Sequence, residues 1–241
     1  MRIVVDSHVH SLASGHAYST IREIAEEAAR KGLEGVAITD HGLMMPGTCS
    51  VMHFLSLHSL PNQVFGVRIF PGVELNILNP QGDLDLEERV LKRLVTVMAG
   101  IHPHCYSGVT EEDHTNAYLK AMENPHVKII VHPDNPRYPF DIERVVRRAA
   151  ETGTALEIND KSADPDNGVR EGGIPILKEI IRECIKQGVS LSFGSDSHFF
   201  DDVGDFRASL KLAAEMEIPE GLILNTSLEK YVEFLSRGRV V

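Results

Sequence analysis

Short apolar runs alternate with amphipathic segments along the whole chain of 241 residues. Seven runs rich in β-branched or apolar residues, each bounded by polar residues, Gly or Pro, predict strands at 3–6, 35–39, 68–75, 94–101, 128–131, 155–158 and 190–193. Segments of helical period lie between and after them, at 20–31, 87–93, 116–123, 142–151, 176–187, 206–217 and 228–236. Because strands and helices alternate, the pattern predicts a parallel sheet covered by helices.

Local signals agree with these helix boundaries. Thr20 and Glu23 form the S/T-x-x-E pattern of a capping box at the start of the first helix. A glycine follows three of the predicted helices: Gly32, Gly153 and Gly188. The most loop-like stretch is 161–173, and no shift in composition divides the chain. We therefore predict an α/β fold made of one barrel domain over residues 1–241.

Nine potential metal ligands are distributed along the chain, and nearly all of them follow a predicted strand: His8, His10, His16, His41, Glu74, His102, His132, Asp196 and His198. In parallel α/β folds, the loops at the carboxyl ends of the strands converge and carry the functional side chains. Imidazole and carboxylate groups are ligands that suit Zn²⁺, Mn²⁺ or Fe²⁺. The placement predicts a metal-centred active site at this end of the barrel.

The individual signals differ in strength. In His8-Val9-His10 both imidazoles project to one side, because side chains alternate along a strand. Alone, this motif is as typical of two surface histidines in a turn. His16 lies in a polar loop, where a solvated histidine is the more common case. Glu74 ends an apolar strand, where burial without a cation would cost several kcal/mol, and its two oxygens suit a bridge between two ions. Asp40 precedes His41 and is a better candidate for orienting an imidazole than for direct ligation.

Composition narrows the classes of molecule that the protein can bind. Twenty-four Lys and Arg against 35 Asp and Glu give a formal charge of −11, which argues against extended nucleic-acid binding but not against small anionic substrates. The three cysteines have no C-x-x-C spacing and indicate reduced thiols. The sequence has neither a leader pattern nor an apolar run of roughly 20 residues, so we expect a cytoplasmic protein without a membrane partner.

The strand-end motifs together resemble those of the polymerase-and-histidinol-phosphatase (PHP) family, and the match spans essentially the whole chain: His8-x-His10, Thr39-Asp40-His41, Glu74, His102, His132-Pro133 and Gly194-Ser195-Asp196-Ser197-His198. Several segments are more narrowly similar to the YcdX-like phosphatases of this family: 14–19, 132–136 and 155–159. The resemblance implies a distorted (β/α)7 TIM-like barrel, a trinuclear zinc site and a homo-oligomer, specifically a trimer. Manganese or iron remain alternatives to zinc.

Mapped onto this sequence, the resemblance implies three ion positions. The first is held by His8, His10, Glu74 and Asp196, the second by His16, His41 and His198, and the third by Glu74, His102 and His132. This leaves about three protein ligands per ion, whereas closed structural zinc sites take about four. Open positions would remain for water and substrate.

The expected activity is hydrolysis of small phosphomonoesters by a metal-bound hydroxide, with Glu74 as bridging carboxylate and Asp40, together with Asp6, in supporting positions. Three basic residues are candidates for the substrate phosphate, although a solvated loop charge is the more common role: Arg137, Lys161 and Arg170. The remaining histidines are expected to have surface or ordinary hydrogen-bonding roles: His53, His58, His104, His114 and His126.

Three alternatives stay open at this point. An amidohydrolase-like hydrolase also begins with H-x-H on a barrel strand, but it explains His16, Glu74 and His198 less well. A phosphodiesterase or 3′-to-5′ exonuclease of the PHP type is closer, although the chain has no polymerase portion and is acidic. The non-enzymatic alternative is a metal-binding regulatory module whose ions only hold the barrel together.

Overall fold

Seven parallel strands form a nearly closed barrel in the computed structural model, which describes residues 1–237. In chain order the strands are β1 (Val5–Val9), β2 (Gly35–Ile38), β3 (Gln63–Val64), β4 (Val67–Asn76), β5 (Thr96–Gly100), β6 (Ile129–Ile130), β7 (Ala155–Asn159) and β8 (Leu191–Gly194). The parallel order is β1-β2-β4-β5-β6-β7-β8, and the short β3 pairs antiparallel with β4. The predicted barrel architecture is therefore confirmed.

The barrel is distorted in two places that adjoin the strand ends. The β1–β2 register shifts between Asp6 and Val9. Between β8 and β1 the ladder is replaced by isolated contacts, in which Asp196 N donates to His8 O at 2.9 Å and His10 N donates to Ser197 O at 2.9 Å. Both irregularities lie beside predicted ligands.

Nine α-helices lie within the described range: α1 (Ile21–Arg30), α2 (Val51–Ser56), α3 (Glu88–Leu91), α4 (Glu111–Ala121), α5 (Ile142–Thr152), α6 (Asp160–Ala163), α7 (Gly173–Gln187), α8 (Arg207–Glu215) and α9 (Leu228–Ser236). The capping box of Thr20 and Glu23 is present at α1. The prediction of a start at residue 116 for α4 was wrong, because Thr110 and Asp113 form a second capping box that begins the helix five residues earlier. The helix predicted at 87–93 is a single turn, and α2, β3 and α6 were not predicted.

The interior of the barrel has an apolar half and a polar half. The first residues of several strands, Val5, Ile129 and Ala155, belong to one buried apolar cluster. Helix α9 adds Tyr231 and Phe234 to this cluster and so covers the end of the barrel where the strands begin. The predicted ligands lie towards the opposite end, where the strands finish.

None of the helices within residues 1–237 is long and apolar enough to cross a bilayer. The single domain over residues 1–241 stays a prediction, since residues 238–241 lie outside the described part of the chain.

Candidate metal centre

The structure brings all nine predicted ligands to the carboxyl end of the barrel. His8 lies in β1 and His10 follows it, while Glu74 lies in β4. The ligands that follow β2, β5, β6 and β8 are His41, His102, His132, Asp196 and His198. His16 comes from the loop before α1, where it is exposed, and its ring still lies 4.9 Å from the rings of His41 and His198. The remaining ligands are buried, apart from the partly buried His198.

Glu74 is the hub of this cluster, and its carboxylate is buried. Its Oε1 atom lies 2.9 Å from His102 Nε2 and 2.8 Å from His132 Nε2. Its Oε2 atom lies 2.8 Å from His41 Nδ1 and 3.4 Å from Nε2 of both His8 and His10. Five imidazoles therefore surround one carboxylate, two on one oxygen and three on the other.

A second cluster adjoins the hub. The His10 ring centroid lies 4.4 Å from that of His41 and 4.3 Å from that of His198. Asp196 Oδ1 lies 3.4 Å from His10 Nε2 and 3.5 Å from His198 Nδ1. Three groups of side chains, searched among the described residues, have ligand atoms close enough together to hold an ion: His10 with His41 and His198, His8 with His10 and Glu74, and His41 with Glu74 and His102.

The tautomers of His8 and His10 follow from their outer hydrogen bonds. His8 Nδ1 lies 2.8 Å from Glu157 Oε1, so its proton is on Nδ1 and donates to this carboxylate. Ser14 Oγ donates its only proton to Asp40 Oδ1 at 2.7 Å, so it accepts from His10 Nδ1 at 3.0 Å. The Nε2 atoms of the two histidines lie 3.0 Å apart, and both present lone pairs when the two rings are neutral.

This arrangement fits bound cations. When both rings are neutral, the two Nε2 atoms face each other and a carboxylate with no proton to share, and a shared cation would stabilise them. The buried atoms His41 Nδ1 and Glu74 Oε2, although 2.8 Å apart, make no hydrogen bond of acceptable geometry. Buried polar atoms without partners are rare in folded proteins, and ion sites are one explanation for them. The chemistry of the donors, imidazole and carboxylate, suits zinc and similar ions.

Electrostatics keep Glu74, His132 and His10 in the forms that ligation needs, and His8 is the exception. Burial acts to lower the pKa of His8, but Glu157, Glu74 and Asp196 outweigh it and hold the pKa well above its usual range. Burial acts to raise the pKa of Glu74, but the adjacent His41, His102 and His8 outweigh it and hold the pKa well below its usual range. Burial also lowers the pKa of His132 to about 4, so that the imidazole stays neutral at physiological pH. Burial, with His41 beside it, holds the pKa of His10 well below its usual range.

Two of the predicted ligands have strained backbones. His132 has a φ of 31° and Asp196 a φ of 53°, in the left-handed region that residues with a Cβ rarely adopt. Such conformations cost about 1–3 kcal/mol and persist where the surroundings enforce them. Both follow strand ends, where an extended continuation would carry their side chains away from the cluster.

Asp40 lies behind the cluster, and its supporting role stays a prediction. Its buried carboxylate accepts from Ser11 N at 2.7 Å, Ser11 Oγ at 2.8 Å and Ser14 Oγ at 2.7 Å. Burial acts to raise its pKa, but the hydrogen bonds from His53 and Ser14 lower the pKa to about 2. Asp40 thus acts on His10 through Ser14. Asp6 accepts from Gly204 N at 2.8 Å and Ser195 N at 3.1 Å and so holds the loop that carries Asp196.

A cavity of about 680 Å³ opens above the cluster. Lys161, Arg170 and His104 line it together with three apolar side chains: Met45, Pro46 and Val169. Arg170 is not a solvated loop charge, because its Nη2 donates to Asp196 Oδ2 at 3.2 Å and its Nη1 to Ser162 Oγ at 3.0 Å. Arg137, by contrast, is exposed and is not among the residues that line this cavity.

Three of the other histidines have the ordinary hydrogen-bonding roles that the sequence analysis expected. His58 Nδ1 donates to Leu55 O and His114 Nδ1 to Pro139 O, each at 2.7 Å. His53 Nε2 donates to Asp40 Oδ2 at 3.0 Å. His104 differs from the expectation, since it belongs to the wall of the cavity.

Glu157 is the residue that the sequence analysis missed. It lies in β7, is completely buried and contacts His8. The signal was available, because Glu157 is a carboxylate in an otherwise apolar strand, the argument that singled out Glu74. Its neighbour Asn159 bridges to Asp196, since Asn159 Nδ2 donates to Asp196 Oδ2 at 3.2 Å.

Comparison with known proteins identifies relatives over the full length. The model of the PHP domain matches residues 6–161. A probable phosphatase of Acetivibrio thermocellus is 46% identical over 239 residues, which cover 99% of this chain and 98% of the relative. A probable phosphatase of Syntrophotalea carbinolica is 47% identical over 236 residues, 98% of this chain and 97% of the relative.

A solved structure has the same fold. It is the histidinol phosphate phosphatase of Lactococcus lactis in complex with zinc, L-histidinol and phosphate. It matches with a TM-score of 0.64 at 18% identity, covering 89% of this chain and 94% of that structure. At this identity the similarity concerns the fold alone.

Proposed function

The chain belongs to the PHP domain family, and from this premise we propose that it is a metal-dependent phosphatase. The reaction is hydrolysis of a small phosphomonoester, in which water and the ester give an alcohol and inorganic phosphate. The observation that carries the proposal is the buried Glu74 carboxylate with five imidazole nitrogens within 3.4 Å of its oxygens. Such a site needs cations, and cation clusters are suited to phosphoryl transfer.

We assign the ligands to three ions, with zinc as the resident metal and manganese or iron as alternatives. His8, His10, Glu74 and Asp196 serve the first ion, and Glu74 Oε1 with His102 and His132 serves the third. The split of contacts between the two oxygens of Glu74 supports a bridging role. His16, His41 and His198 serve the second ion, and their rings lie 4.9–6.0 Å from one another.

Ions bound there would lower the pKa of water and neutralise charge on the phosphoryl group. The protein's own side chains hold and orient the metal ligands and line the substrate cavity. Glu157 and Ser14 keep His8 and His10 in the tautomers that present Nε2. Lys161 and Arg170 place positive charge on the cavity wall, where a phosphate would lie. His104 is an additional polar group on this wall.

The size of the cavity supports a small substrate. About 680 Å³ is within the range of pockets for single small molecules. A net charge of −11 disfavours a long polyanion. We place the enzyme in the cytoplasm as a homo-oligomer, and the trimer implied by the resemblance is checked by light scattering of the metal-loaded protein.

A substrate comparison tests the proposal. The purified protein is analysed for bound metals and then assayed with p-nitrophenyl phosphate, bis-p-nitrophenyl phosphate and a single-stranded oligonucleotide. We expect several equivalents of metal per chain and faster turnover of the monoester than of either diester. Faster turnover of the diester or oligonucleotide would favour a phosphodiesterase. If the protein binds metal but hydrolyses none of a wide panel of phosphate esters, the proposal is replaced by a metal site with a purely structural role.

A further inference from the structure

Strand β7 is the barrel strand that carries none of the nine predicted ligands, yet it ends beneath the metal centre. It contributes Glu157 and Asn159 instead, and both are completely buried. A buried carboxylate costs several kcal/mol unless its oxygens are paired. The hydrogen-bond partners of Glu157 therefore indicate its role.

Both oxygens of Glu157 are engaged, and they reach two different ligand residues. Oε1 accepts from His8 Nδ1 at 2.8 Å, and Oε2 accepts from the backbone N–H of His132 at 2.9 Å. Asn159 Nδ2 also donates to Oε2, at 3.1 Å. One carboxylate thus connects a ligand on β1 with a ligand that follows β6.

The bond to His8 crosses strand β8, and the residue at the crossing point is Gly194. A Cβ atom on Gly194 would lie 2.2 Å from Glu157 Oε1 and 2.6 Å from His8 Cβ. Neither distance is tolerated, so the absent side chain leaves the space through which the two residues meet. Gly194 has an ordinary backbone conformation, and close approach is what requires glycine here.

We propose that Glu157 is a positioning residue that couples two ion positions of the metal centre. Its bond to His8 keeps the proton on Nδ1 and leaves Nε2 free to bind a cation. Its bond to His132 holds the backbone that has a φ of 31° and aims this imidazole at Glu74. This inference rests on the proposed metal centre and extends it with a residue that touches neither metal nor substrate.

The expected effect is a loss of metal affinity at two positions together. Partners of metal-bound histidines typically contribute 10–100-fold in metal affinity. In Glu157→Gln the shape is retained, but the amide must turn its NH₂ group towards either His8 Nδ1–H or His132 N–H. One donor then faces another donor in either orientation, and the negative charge is lost.

The test measures zinc affinity by competition with a chromogenic chelator, at pH 7.5, for the wild type and the variant. We expect Glu157→Gln to bind zinc about 10–100-fold more weakly, with more than one equivalent affected. Its cobalt form should also show an altered visible absorption spectrum. Glu27→Gln is the matched control, because Glu27 is a largely buried glutamate paired with Arg30 on α1, away from the centre. The control should bind zinc as the wild type does.

Two further measurements do not depend on this variant folding. Gly194→Ala should reproduce the loss of affinity through steric displacement of Glu157. In the zinc-loaded wild type, imidazole ¹H–¹⁵N spectra should show His8 as the Nδ1–H tautomer with a strongly downfield proton. An Nε2–H tautomer for His8, or unchanged zinc affinity in a folded Glu157→Gln, would overturn the inference and leave the phosphatase proposal standing. Weakened zinc binding in the variant, with no hydrolysis by the metal-loaded wild type, would remove the phosphatase proposal and keep this one.

Discussion

Replacement of Glu74 by Gln removes the charge at the hub while keeping the volume of the side chain. Its oxygens lie 2.8–3.4 Å from five imidazole nitrogens, so cations shared with these nitrogens would lie within about 4 Å of the carboxylate. At an effective dielectric constant of about 20, a divalent ion at this distance gains roughly 8 kcal/mol from one negative charge. If relaxation and the dipole of the new amide recover half of this attraction, the variant loses about 4 kcal/mol of metal-binding free energy. This loss corresponds to a roughly thousandfold weaker metal affinity.

The assay combines metal analysis with kinetics. Glu74→Gln and the wild type are dialysed against buffered zinc, their metal content is measured, and kcat/KM is determined with p-nitrophenyl phosphate. Metal content and turnover should fall together, while the far-UV circular dichroism spectrum is retained because the substitution leaves no cavity. Glu88→Gln, an exposed position on α3, is the control and should change neither quantity. A folded Glu74→Gln protein with full metal content and turnover would refute the bridging role.

Three other outcomes are expected. Asp40→Asn should lower the free energy of unfolding by about 2 kcal/mol in denaturant titrations, because a buried charged acceptor of several hydrogen bonds is lost; unchanged stability would contradict this account. Chelation of the wild type should lower its melting temperature by about 5–10 °C, given roughly 2.7 kcal/mol from an ion present at a hundred times its dissociation constant, and zinc should restore it. His58→Ala should keep wild-type kinetics, since His58 is exposed and bonds only to Leu55 O in the described structure; a loss of activity would show that the mapped site is incomplete.

Much of the site was predictable because the signals that mark it lie in residues that are neighbours in the sequence. Alternating strands and helices predict a parallel barrel, and the ends of its strands meet at one point. A histidine or acid after a strand can therefore be assigned to that point without coordinates, as His102 and His132 were. Glu74 was identifiable for a related reason, since an acid in an apolar run needs a compensating charge.

Roles that depend on partners distant in the chain were not predictable in the same way. Arg170 was considered as a phosphate ligand or a solvated charge, and the structure pairs it with Asp196. His104 was expected to have a surface or ordinary hydrogen-bonding role, but the loop after β5 places it in the cavity wall. These assignments depend on loop conformation, which carries no periodic signal in the sequence.

The sequence alone determined the barrel, the end of it at which the predicted ligands gather and the residue types found there, because alternation and strand-end placement are properties of neighbouring residues. Only the tertiary structure decided how those residues pair. Glu157 meets His8 across 149 positions of sequence, through a space that Gly194 leaves open on the intervening strand. Such a contact depends on the closure and register of the whole barrel, so no local pattern could reveal it.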